Sequence, residues 1–145
     1  MNTKTLKMEM IVALAGVLAG AKLGKCQTAD KFVVIKTSAA LRPQAEEYHT
    51  LVKEAQERLR PDNWDKLITD SKRWDDLDEA DRTAHNRQVQ TYTDEVNACV
   101  ADLLAKKVDI QLPDPLDTEA LGRLLDSNPE WTVAQAELVM DIIGN

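Results

Sequence analysis

A chain of 145 residues with 43% hydrophobic side chains suffices for one domain around one core, without disulfide or metal staples. Aromatics make up only 4%, so Leu, Ile, Val and Ala must fill the interior, as in helix-on-helix packing. The net charge of −7 is uneven: residues 1–60 carry ten basic and six acidic side chains, residues 61–145 eight and nineteen, and so acidic a second half disfavours direct nucleic-acid binding.

Residues 8–26, MEMIVALAGVLAGAKLGKC, support two readings. As an export signal they offer Lys4 and Lys7 as a positive start, an apolar run from Met10 to Ala21 and an Ala19-Gly20-Ala21 cleavage pattern. The run is too short to span a bilayer. Lys25 is out of place before a lipid-accepting Cys26, and Glu9 opposes insertion. As the first helix of the folded protein, residues 1–24 put Ile11, Leu14 and Leu18 on one stripe, beside Leu6 and Met10. Gly16, Gly20 and Gly24 then recur every four residues, which predicts a bare second face open to close backbone approach. The helical reading accounts for both periodicities. The basic residues of this half (Lys4, Lys7, Lys22, Lys25, Lys31, Lys36) are scattered and form no basic stripe.

Residues 30–60 read as a long helix capped by Asp30, with a seam through Leu41, Ala45, Tyr48, Val52, Ala55 and Leu59. Pro43 removes a backbone donor and predicts a kink or restart. Residues 62–78 form an acidic, tryptophan-bearing helical connector. With no glycine between Gly24 and Gly122, its acids cannot build an EF-hand loop and are assigned to solvent. Residues 79–107 form the clearest helix, with Val89, Tyr92, Val96, Cys99 and Leu103 on the seam; Cys99 is expected in the core. In 108–145 the period switches. Val108, Ile110 and Leu112 alternate as a short strand (108–112) that must pair with residues 32–36 or with a partner chain. Asp117 then caps one short helix, and Thr132 with Gln135 forms a capping box at the start of the last. The expected architecture is thus mainly α, a single helical domain of about five helices with one β segment.

No motif for nucleophilic, metal, phosphate or dinucleotide chemistry occurs, and Cys26 and Cys99 match neither a zinc spacing nor a C-x-x-C pair. His49 and His85 read as surface residues, and adjacent carboxylates such as Asp75 and Asp76 diverge on a helix. The expectation is a non-enzyme with no cofactor and no metal site. Trp64, Trp74 and Trp131 lie in polar, acidic surroundings. With Val108, Ile110 and Leu112 on an unpaired strand edge, they are the candidate partner-binding residues.

The layout resembles a loosely defined group of short phage-encoded proteins. The likeness lies in the apolar N-terminal helix, in ALRPQAEEYHTLVKEAQERL and in the closing order of long helix, alternating strand, proline turn and two short helices. It covers most of the chain and departs in the acidic connector, which is longer here. The resemblance implies a host-cytoplasmic or virion setting and carries over no functional residues. The missing catalytic constellations, the acidic surface and the unpaired strand lead to the expectation of protein partners, another protein or a second copy of the chain (self-association). The alternatives are an exported envelope protein of the periplasm that loses about residues 1–21, with membrane contact only in that case, and an acidic nucleic-acid mimic acting as an inhibitor.

Overall fold

The computed structural model describes residues 2–145. It is mainly helical, with a two-stranded antiparallel sheet. The elements run β1 (Asn2–Lys7), α1 (Met8–Ala19), α2 (Thr28–Arg58), α3 (Trp64–Lys72), a 3₁₀ turn (Trp74–Asp76), α4 (Glu79–Ala105), β2 (Lys107–Leu112), α5 (Thr118–Ser127) and α6 (Val133–Ile143). They fall into two compact units, residues 2–48 with 104–145 and residues 49–103. Helices α2 and α4 each contribute residues to both.

In the first unit, β2 finds its partner in neither residues 32–36 nor a second chain. It pairs with β1, from Asn2 opposite Leu112 to Lys7 opposite Lys107. Residues 32–36 lie inside α2. The N-terminal segment is therefore a strand followed by a twelve-residue helix, not one helix over 1–24. Leu6 points into the core from β1, Ile110 and Leu112 from β2, and Thr5 donates to the Asp109 carboxylate across the ladder. Ile11, Leu14 and Leu18 line the inward face of α1 and meet Leu41, Leu124, Val139 and Ile142 in one apolar cluster. The glycine face has a different fate. A Cβ placed on Gly16, Gly20 or Gly24 meets nothing within 4 Å, and all three are exposed. Packing of α1 runs through its leucines and isoleucine, and its small-residue face looks to solvent.

Polar groups fix the remaining turns of this unit. The Asn128 side chain, only 1% exposed, accepts from the Lys22 N–H at 2.7 Å and donates to the carbonyls of Lys22 at 2.8 Å and Leu124 at 2.9 Å. Ser127 accepts from the Lys25 N–H at 2.9 Å, so the α1–α2 loop is held by the end of α5. Lys4 reaches the last turn of α6 and donates to the carbonyls of Asp141 and Ile142, cationic hydrogen bonding suited to a helix C-terminus. Leu116 and Gly144 form a parallel bridge, with Leu116 N–H donating to Ile143 at 2.9 Å. The expected caps of the last two helices form: Asp117 accepts from Ala120 N–H, and Thr132 and Gln135 make a reciprocal capping box. Asp30 acts differently from expectation. It sits in the first turn of α2 and accepts from the Gln27 N–H before the helix. Pro43 lies inside α2, which continues from Thr28 to Arg58, so of the two expected outcomes, a kink or a restart, no restart occurs.

The second unit pairs the end of α2 with α4 and adds α3. Tyr92 Oη donates to the Gln56 carbonyl at 3.0 Å. The amides of Asn63 and Gln88 exchange two hydrogen bonds at 3.0 Å each. Its buried apolar side chains among the described residues are Ala55, Leu67 and Val96. Cys99 is half-buried rather than in a core: its sulfur lies 3.9 Å from the Arg58 guanidinium, beside a cleft lined by Leu51, Ala55 and Leu103.

Candidate partner-binding surfaces

The tryptophans are already engaged within the chain. Trp64 opens α3 and packs tilted against Tyr92, ring centroids 4.9 Å apart, with the Arg60 guanidinium 5.2 Å from its ring centre. Trp74 meets His85 edge-on at 5.2 Å and lies under the Arg82 guanidinium at 5.6 Å, while its carbonyl accepts from Arg82 Nε at 3.1 Å. Trp131 is half-buried against the core of the first unit. Each ring closes an edge of its own unit, with Trp64 and Trp74 in the second unit and Trp131 in the first.

Val108, Ile110 and Leu112 likewise face inward. Ile110 is 5% exposed and Leu112 3%, and Val108 packs against the same cluster. β1 pairs one edge of the strand along its length, and these three side chains pack on the core instead of forming an exposed apolar stripe.

Other residues carry the exposed apolar surface. In the second unit, Trp64, Leu67, Ile68, Ser71, His85 and Val89 line a cleft of about 210 Å³ between α3 and α4. Ile68 and Val89 are both exposed there. His85, expected at the surface, is half-buried, and its Nδ1 is enclosed without a hydrogen-bond partner. A larger cleft, about 360 Å³, lies beside Leu59, Pro61, Gln88, Thr91 and Tyr92.

In the first unit, Phe32 and Ile35 project from α2 at 57% and 55% exposure, on the face opposite Val34, Thr37 and Leu41. Helical spacing puts Lys31, Lys36 and Arg42 on that same outward face. The spread of lysines along the sequence thus conceals a local cationic strip on α2. The strip ends one turn beyond Arg42, where Glu46 and Glu47 are exposed on the same helix; a helical projection of residues 28–45 gathers the cations that sequence order scatters.

One buried charge is present. Asp30 is 4% exposed and is held by Arg123, with Nε 2.8 Å and Nη2 3.3 Å from its two oxygens. The hydrogen bond from Arg123 outweighs burial and, with the Gln27 N–H, holds the carboxyl below the usual aspartate range. The same contact raises the Arg123 guanidinium. This pair links α2 to α5 and is structural.

Among the described residues no three His, Cys, Asp or Glu side chains gather to hold a metal, both thiols are free, and no helix is long and apolar enough to cross a membrane. No family model, curated protein or solved structure matches this chain.

Proposed function

We propose that the protein is non-enzymatic and acts by contact with other proteins, as a phage-type virion or assembly component or a host-directed factor. The observation that carries this reading is the unfinished packing of the second unit. Residues 49–103 bury three apolar side chains and leave Ile68, Val89 and the flank of two tryptophans at the surface. A segment of that size normally needs more interior than this, or a partner, to be stable. The resemblance in layout to short phage proteins supplies the setting.

Retention of the N-terminal segment belongs to this proposal. Its support is that β1 and α1 contribute Leu6, Met8, Ile11, Leu14 and Leu18 to the core, which cleavage after residue 21 would remove. Intact mass of the protein from its native host tests it, and loss of the first 21 to 25 residues transfers the chain to the exported reading. The contact role itself is tested by affinity capture of the full chain and of its Ile68→Glu/Val89→Glu variant under identical conditions. The expected result is a discrete partner that the variant fails to carry; equal capture by both overturns the reading.

A further inference from the structure

We propose that the outward face of α2 in the first unit, together with the cleft beside it, docks an acidic amphipathic helix of a partner protein. The inference rests on the contact role proposed above but uses a different surface. The cleft, about 210 Å³, is walled by Leu18, Ala21, Leu23, Val34 and Ile35, with Ser38 and Arg42 as its polar members. The exposed lining of the cleft is more polar than apolar, so the apolar part of this surface is Ile35 at the cleft rim and Phe32 next to it on the open helix.

Charge selects the occupant. Between residues 10 and 45 the ionisable side chains are Lys22, Lys25, Asp30, Lys31, Lys36 and Arg42. The single acid, Asp30, is buried and neutralised by Arg123, and the five cations are all exposed. Up to residue 45 the segment thus presents only positive charge to solvent, and the next acids on α2, the exposed Glu46 and Glu47, follow one turn beyond Arg42 and away from Lys31 and Lys36. A helix with apolar anchors one turn apart and carboxylates along its flanks meets both halves of the surface: anchors on Phe32 and Ile35, acids on Lys31, Lys36 and Arg42. The concavity favours side-chain anchors over the plane of a bilayer, and the apolar residues between the cations favour a protein over a phosphate backbone.

The test uses the full chain and two fluorescent helical peptides of about 18 residues, with leucine at i, i+3, i+4 and i+7 and either glutamate or lysine elsewhere. The glutamate peptide is expected to bind about tenfold or more tighter than the lysine peptide, and to weaken in ~0.5 M salt. Ile35→Asp, and separately Lys31→Glu/Lys36→Glu, should each reduce its affinity about tenfold or more with unchanged helicity by circular dichroism, since all three residues are exposed. The Ile68→Glu/Val89→Glu variant should bind the peptide as the parent does, which separates failure here from failure of the second-unit contact. Equal affinity for both peptides overturns the proposal. So does loss in the Ile68/Val89 variant alone, or tighter binding of the full chain to phosphatidylserine vesicles or a single-stranded oligonucleotide than to the glutamate peptide. Dissociation of a self-assembled oligomer by the α2 substitutions also overturns it, assigning the face to a second copy.

Discussion

The two units treat the same raw material, amphipathic helices rich in leucine, valine and alanine, in opposite ways. The first closes around it: a seventeen-residue apolar cluster joins β1, α1, α2, β2, α5 and α6, and buried polar groups such as Asn128 and Asp30 have named partners. The second holds its helices by their edges, through the Asn63–Gln88 amide pair, the Tyr92 hydroxyl and cations over indole rings, with three apolar side chains buried. Burial is what separates a self-sufficient interior from a surface still open to a partner, because non-directional apolar contact contributes far more than exposed polar pairs.

The contrast can be tested by substitution. Leu124→Ala, at a side chain with no exposure, should lower stability by about 3–5 kcal/mol in urea titration. Leu67→Ala in the second unit should cost less, because its cleft wall is already open, and should accelerate hydrogen exchange mainly within 49–103. Equal costs at the two sites would erase the distinction. Asn128→Ala should cost about 2–3 kcal/mol, since it strands both backbone groups of Lys22. Asp30→Asn should destabilise by less than that at neutral pH and flatten the acid limb of the stability profile. The folded carboxyl titrates below its ordinary value of 3.8, so its contribution is fully present above that value and fades as pH falls through the lowered folded value. A variant and parent that lose stability in parallel below pH 4 would remove this charge from the account. The smallest effect has the opposite sign. Gly16→Ala should stabilise by about 0.5–1 kcal/mol, because the exposed helix position has room for a methyl group.

Much of this was legible from spacing alone. The stripe Ile11, Leu14, Leu18, the Asp117 and Thr132 caps and the alternation of Val108, Ile110 and Leu112 are local patterns, and each specifies its element without help from distant residues. β1 was not legible. It has one inward apolar residue, Leu6, and its pairing information lies a hundred positions away in β2, so nothing nearby marks it as a strand. The glycine periodicity misled for a related reason: regular spacing puts residues on one side of a helix but does not say whether anything approaches that side. Candidate sites fared similarly. Tryptophans in acidic sequence suggested exposed anchors, whereas Tyr92, His85 and arginine side chains occupy them. The exposed Phe32 and Ile35 were hidden in a β-branched run that draws attention to its buried member, Val34.

Because β1 pairs with a strand that follows the second unit, the first unit has no complete interior until its C-terminal residues are made. On a ribosome adding roughly 5–20 residues each second, α1 waits several seconds with Ile11, Leu14 and Leu18 uncovered. The helical hairpin of residues 49–103 depends on contacts nearer in sequence, so it can assemble during that interval. Synthesis order therefore places the least buried part of the molecule first, and leaves the sturdier part dependent on residues translated after it.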